Sequence, residues 1–296
     1  MNIQSLSVVV PNAACVNDCK FCVSKMHTNN FKNQMDDNLP FFDLYLKDYM
    51  KRLEFARDNG CNTVMLTGNS EPQQNRKFLT YFGMMMQMMD NPFKWIEMQT
   101  TGVLLDRNYL RFLRNHVGVN LISLSISSFS EHLNKEYVGM KYSVADSFDL
   151  FKLCEWIKEY DFSLRLSLNL TKSFESYTPE ELFESCKDMG ADQVTLRILY
   201  SSGSGTPQDA WIFMNGASEE WTRNVTNYVL HYGTKLGRLP YGKVKYSLNG
   251  MSVVVDDDCM AKGNEEKEMT ENYKYLILQP NCKLYSQWDD EASLIF

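Results

Sequence analysis

The chain has 296 residues, 44% of them hydrophobic, enough for one α/β domain of barrel size or two small ones. Its formal net charge of -7 excludes a broad basic surface for phosphate backbones and so disfavours a tRNA or DNA substrate. No apolar run reaches membrane-spanning length and nothing near the start reads as a secretory leader, so a cytoplasmic protein with reduced thiols is expected.

Strand-like and helix-like stretches alternate from the start. "SLSVVVP" (5–11) is a β-branched run that ends at "ACVNDCKFCVSK" (14–25). There Cys15, Cys19 and Cys22 stand in C-x3-C-x2-C spacing, with Phe21 just before the third. Three thiolates this close can grip one soft metal centre. Structural zinc usually takes four protein ligands, and a [4Fe–4S] cluster has four irons to ligate. No fourth cysteine or histidine lies at ligand spacing; His27 is five residues on. The loop therefore points to a cluster with one iron left open, against a partial zinc knuckle or three reactive loop thiols.

Residues 40–59 read as a helix stopped by Asn59-Gly60. "NTVMLTG" (62–68) is the second strand and runs into "TGNSEP" (67–72). The next helix spans 74–90, its methionine run packing against a sheet. "WIEMQTTG" (95–102) is the third strand, followed by a helix capped by Asp106. "LISLSISS" (121–128) is the fourth, and a helix over 143–160 follows with Ser143 as its N-cap. "SLRLSLNL" (163–170) is the fifth strand. Thr178-Pro179-Glu180-Glu181 then combines an N-cap, a proline at the first helical position and a capping-box glutamate. "QVTLRIL" (193–199) is the sixth strand. Strands separated by helix-length segments predict parallel βα units, here a partial six-stranded TIM-like barrel.

Period two sorts the strand residues into faces. Ser123, Ser125 and Ser127 share one; Arg165, Ser167 and Asn169 another; Glu97, Gln99 and Thr101 a third; Thr195 and Arg197 a fourth. The outer helices need the apolar faces, so these polar ones should point inward. A full TIM barrel fills its interior with branched apolar side chains; a polar interior argues for a bound polar ligand. An open antiparallel sheet with one wet face is the alternative.

After residue 200 the pattern changes. "YSSGSGTPQDA" (200–210) reads as a mobile loop, either a cover for the barrel mouth or a linker. A helix over 218–233 is capped by Ser218. Hairpins are expected around Asn249-Gly250 and Pro280-Asn281, closing the open side of the barrel. With no internal repeat or clear linker, the expectation is one domain: a barrel over 1–200 and an elaboration over 201–296. Cys61, Cys154 and Cys186 read as core residues. Cys259 and Cys282 have no third cysteine nearby for a second cluster, and Asp256, Asp257 and Asp258 read as a solvated turn.

The cysteine loop resembles the signature of the radical S-adenosylmethionine (SAM) superfamily, and "TGNSEP" resembles that family's motif of small residues before Glu-Pro. The resemblance implies a [4Fe–4S] cluster on Cys15, Cys19 and Cys22, with SAM chelating the open iron and yielding a 5′-deoxyadenosyl radical on reduction. It implies SAM contacts from Gly68, Asn69, Ser70 and Glu71 through backbone groups, although Asn69 and Ser70 stand where many members have glycines. Looser matches are Phe21 near the adenine, Ser125 or Ser127 at the ribose, Asn169, and Arg197 against the SAM carboxylate. A flavodoxin- or ferredoxin-type electron donor is implied as well. Glu97, Gln99 and Arg165 are left over for substrate, and an inward carboxylate suits the N–H and amino edge of a guanine-like base. Within the superfamily the overall run of the chain is similar to the gut-bacterial queuine lyase subgroup, which splits the C–N bond of free queuine. Other readings are a radical SAM enzyme for another small molecule or peptide, and an iron–sulfur electron carrier.

Overall fold

A computed structural model describes residues 2–26, 39–141, 147–238, 243–256, 272–288 and 290–296. Among them eleven strands form one sheet: β1 (Asn2–Val9), β2 (Thr63–Thr67), β3 (Trp95–Thr100), β4 (Leu121–Ile126), β5 (Ser163–Asn169), β6 (Gln193–Arg197), β7 (Thr234–Arg238), β8 (Val244–Leu248), β9 (Met251–Asp256), β10 (Asn272–Leu278) and β11 (Leu284–Tyr285). The spatial order is β11-β10-β1-β2-β3-β4-β5-β6-β9-β8-β7. The helices are α1 (Val23–Met26), α2 (Leu46–Asp58), α3 (Arg76–Met88), α4 (Arg107–Phe112, continued by a π turn to Val117), α5 (Glu131–Val138), α6 (Leu150–Glu159), α7 (Pro179–Asp188), α8 (Pro207–Asn215) and α9 (Glu219–Tyr232).

The six expected strands are parallel neighbours, and two more join them: β10 lies parallel to β1, and β9 parallel to β6. The C-terminal hairpins thus do more than close the open side. Each lends a parallel strand to one side of the core; β11 then lies outermost beside β10, and β8 followed by β7 lies beyond β9. The architecture is α/β, a mostly parallel TIM-like partial barrel. Asn249 (φ +53°) and Gly250 (φ +84°) both adopt the left-handed conformation that a two-residue hairpin needs.

The apolar faces do what parity requires. Leu164, Leu166 and Leu168 of β5 are fully buried, as are Val64 and Leu66 of β2 and Ile122, Leu124 and Ile126 of β4. Helix residues cover them, including Phe78, Leu79 and Phe82 of α3 and Leu182 and Phe183 of α7. Met85, Met86 and Met89 join this core, while Met84 and Met88 face outward. The caps follow the sequence at Asp106, which accepts from Tyr109 N–H, and at Thr178, which forms the full capping box with Glu181. Helix α6 is instead capped by Asp149; Ser143 lies outside the described residues, as do Asp257, Asp258 and Cys259. Cys61 and Cys154 are core thiols pushed up to about 12 by burial, and Cys186 and Cys282 are buried as well.

Candidate active site

The loop from β1 to α1 carries Cys15, Cys19 and Cys22, all half-buried free thiols. Neighbours fix it from several sides. Gln74 brackets its start, with Nε2 donating to the Ala14 carbonyl (2.9 Å) and Oε1 accepting from Val16 N–H (2.8 Å). Asn75 Nδ2 donates to the Pro11 carbonyl at 2.6 Å while its Oδ1 caps α3. The end of α5 reaches in from the other side. Asp18 N–H donates to the Val138 carbonyl (3.1 Å) and Lys20 N–H to the Tyr137 carbonyl (2.9 Å). Gly139 permits this approach: its φ is +63°, and a Cβ there would stand 2.5 Å from the Asp18 carbonyl oxygen. The Phe21 ring packs on Trp211 of α8 with centroids 5.6 Å apart, and Trp211 packs on Tyr137 at 5.1 Å. Burial pushes the Cys19 thiol well above its ordinary range, with Cys22, Glu71 and Cys15 adding to the push; burial raises Cys15 too.

Two cavities meet beside this loop. The smaller, about 230 Å³, is lined by Cys19, Phe21 and Cys22 and by Ser125, Asn169 and Arg197 at the ends of β4, β5 and β6. Arg197 is oriented by its Nε–H, which donates to Ser167 Oγ at 2.7 Å. The larger, about 550 Å³, occupies the barrel interior, and Val23, Ser125 and Arg197 border both. Its wall includes Glu97, Gln99 and Arg165, as inward parity requires. Arg165 Nη1 donates to Glu97 Oε2 at 2.6 Å, and Gln99 Nε2 donates to Glu97 Oε1 at 3.1 Å. Arg165 also holds Gln193 Oε1, at 2.8 and 2.9 Å. With its side chain only 3% exposed, Glu97 is a paired carboxylate, each oxygen already holding one donor.

Residues 9–168, which include the three-cysteine loop, match a family model described as the Radical SAM superfamily. The chain belongs to the radical SAM superfamily. One curated relative is the 7-carboxy-7-deazaguanine synthase of Clostridium acetobutylicum, 24% identical over 200 residues that span 65% of this chain and 84% of that protein. Coproporphyrinogen III oxidase from Escherichia coli has a similar structure, with a TM-score of 0.54 and 12% identity over 86% of this chain and 63% of that one. The anSMEcpe structure with bound AdoMet gives a TM-score of 0.50 and 14% identity over 76% and 60%. At such identity these structures show the fold, and the chain spans only about 50–60% of the first of them.

Radical SAM enzymes use a [4Fe–4S] cluster and SAM, and the residues present fit both. Among the described residues no three His, Cys, Asp or Glu converge on a single metal ion. A four-iron cluster asks for something else, since each cysteine binds its own iron. Thiols kept neutral by burial give up their protons when a cationic centre takes the sulfur. Cys19 and Cys22 border the smaller cavity directly, so a cluster on this loop would face it.

Phe21, Ser125, Asn169 and Arg197 all line the smaller cavity. Of the two serines expected at the ribose, Ser127 lines neither cavity. It is fully buried, and its Oγ accepts from Asn169 Nδ2 at 3.3 Å. The strand ends at Ile126, so period-two parity no longer aims residue 127 inward. The expected contact of Glu71 is through its backbone, and its side chain points elsewhere. It lines neither cavity and is tied instead to Asn17, Thr100 and Thr101. Gly68 borders the larger cavity, and Asn69 Oδ1 accepts from Ser24 Oγ at 3.2 Å beside the cluster loop. Ser70 is half-buried and borders neither.

The stretch 200–210, expected to be a mobile loop, is pinned. Asp209 accepts from Ser201 Oγ (2.7 Å), from Ser202 N–H (2.7 Å) and Oγ (2.8 Å), and from Thr206 N–H (2.9 Å) and Oγ1 (2.8 Å). Those donors, the Ser201 hydroxyl first, hold its carboxyl far below the usual range. Sequence reasoning missed Trp211, which α8 delivers onto Phe21, and Tyr200, which lines the smaller cavity. It also missed Lys243, Lys245 and Lys274, which line the larger cavity from β8, β10 and their approaches.

Proposed function

We propose that this radical SAM enzyme acts on a free 7-deazaguanine base, and that its reaction is C–N bond cleavage of queuine to 7-aminomethyl-7-deazaguanine, a lyase step of queuine salvage. The observation that carries this reading is the 550 Å³ polar chamber bordering the SAM-side cavity, with an oriented carboxylate in its wall. Its volume suits one small organic molecule rather than a nucleic acid, in keeping with the acidic chain. One likeness supports the ring system: residues across 65% of the chain are similar to a protein named for a 7-deazaguanine product.

When bound, the reduced cluster and SAM would supply a 5′-deoxyadenosyl radical, with the electron coming from a flavodoxin- or ferredoxin-type donor. The chain's own residues do the rest. Arg197, steadied by Ser167, would pair with the SAM carboxylate, and Asn169 and Ser125 would hydrogen-bond its polar groups. Glu97, oriented by Arg165 and Gln99, keeps a second lone pair on each oxygen for the N–H and amino edge of the base. Phe21, Trp211 and Tyr137 would keep water from the cluster side.

Equilibrium binding tests this reading before any turnover. The wild-type protein should bind queuine. Glu97→Gln, which sets an amide donor against the base, should weaken that binding at least about tenfold, ~1.4 kcal/mol, while SAM affinity stays unchanged. Equal queuine affinity in the variant removes Glu97 from the site, and no queuine binding by the wild type removes the substrate.

A second reading has its own observation. Lys243, Lys245 and Lys274 line the larger cavity, and lysines suit a substrate with a carboxylate. A carboxylated deazaguanine that bound more tightly than queuine would favour it.

A further inference from the structure

The Glu71 side chain lines neither cavity, and it is a buried acid beside the cluster loop: 5% exposed, between β2, the end of β3 and the loop. Its hydrogen bonds determine its charge. Thr100 Oγ1 accepts from Gln73 Nε2 and from Gly102 N–H (2.7 Å), so its single proton goes to Glu71 Oε2 at 2.6 Å. Glu71 Oε1 accepts from Thr101 N–H (3.0 Å) and Asn17 Nδ2 (3.1 Å). It also takes the Thr101 hydroxyl proton at 2.7 Å, because Thr101 Oγ1 itself accepts from Asn17 Nδ2 at 2.9 Å. With the Gln73 and Asn17 amides in this orientation every neighbour donates to Glu71, the pattern that suits a carboxylate. Burial raises its pKa and these donors oppose the rise; the donor pattern selects the carboxylate. None of the ion pairs among the described residues includes it.

Asn17 makes this anion matter to the metal site. It lies between Cys15 and Cys19, its N–H donates to Cys15 Sγ at 3.4 Å, and its side-chain amide ties the loop to the Glu71 carboxylate, while Asn12 Nδ2 donates to the Glu71 backbone carbonyl at 3.2 Å. In a low-dielectric surround such a charge is poorly screened. The reduction potential of an iron–sulfur cluster depends on local charge and solvent exposure, and a nearby buried anion disfavours the added electron.

We propose that Glu71 is a positioning residue for the cluster loop, acting through Asn17, and that as a buried anion it holds the reduction potential of the cluster down. The proposal does not depend on which substrate the enzyme uses.

The test uses reconstituted full-length protein as wild type, Glu71→Gln and Asn17→Ala. A redox titration followed by electron paramagnetic resonance reads the potential, and iron release to a chelator reads loop hold. Glu71→Gln should move the potential in the positive direction by about a tenfold change in the one-electron equilibrium, ~59 mV, and should release iron severalfold faster. Asn17→Ala keeps the carboxylate, so it should also release iron faster while its potential stays near that of the wild type. A Glu71→Gln cluster at the wild-type potential overturns the electrostatic half, and an Asn17→Ala protein that retains iron like the wild type overturns the positioning half. If Glu71→Gln takes up no iron, circular dichroism decides: a folded apoprotein supports positioning, and an unfolded one makes Glu71 a core polar residue and overturns the proposal.

Discussion

Cys19 stands on the wall of the smaller cavity and Arg197 at the border of both, so mutation should separate the cluster from SAM. Cys19→Ala should abolish a cluster that otherwise holds about four irons per chain, as iron and sulfide analysis would show; eight irons in the wild type would contradict a single cluster. Arg197→Ala should keep the cluster and lose at least about tenfold in SAM affinity, ~1.4 kcal/mol. Calorimetry finding wild-type affinity would take Arg197 out of the site. Both residues were legible in the sequence, Cys19 by spacing and Arg197 by strand parity, which also placed Ser125, Asn169, Gln99 and Arg165. Parity failed at Ser127, one residue past the strand end. For Glu71 a motif match fixed the position but said nothing of where the side chain points. Glu97 was read as inward, but its pairing to Arg165 comes from a strand 68 positions away, and no local pattern carries that.

The cluster loop depends on elements that contribute no ligand. Gly139 ends α5 in the left-handed region and lets the helix end touch Asp18. Gly139→Ala should cost about 1–2 kcal/mol for the backbone alone, lower the melting temperature and speed iron loss. Thr178→Ala removes the N-cap of α7 and should cost about 1 kcal/mol with iron retention unchanged. Equal iron loss in the two variants would show that general destabilisation, not the α5 contact, sets loop hold. The long βα elements were readable because their apolar periodicity is strong and their caps explicit. Helix α5 was missed because it is short and buries only Asn134 and Val138. Helix α8 was hidden behind a Gly/Ser-rich run, although Thr206-Pro207 with Asp209 repeats the capping pattern read correctly at Thr178. Strand β7 exposes every residue and so carries no alternation to read.

Across the whole molecule, one sheet carries both cavities, and its two edges come from the last quarter of the chain. Repeated βα units made the parallel core legible. The pairing of β1 with β10, Asn2 against Asn272, was not, because contacts this distant leave no mark on local sequence. That long-range pairing brings Lys274 to the same cavity as Arg165 and Glu97, so the chamber is complete only when the C-terminal hairpins are in place. Removing residues 272–296 should therefore abolish queuine binding even where the cluster still assembles, which iron analysis and equilibrium dialysis would read together. The most direct measurement is a single anaerobic turnover experiment. Reconstituted, reduced enzyme is given SAM with either free queuine or queuosine-containing tRNA, and mass spectrometry follows 5′-deoxyadenosine and the released base. Free queuine, and not the tRNA, should raise 5′-deoxyadenosine formation and yield 7-aminomethyl-7-deazaguanine; SAM cleavage without release of that base from queuine would contradict the proposed reaction.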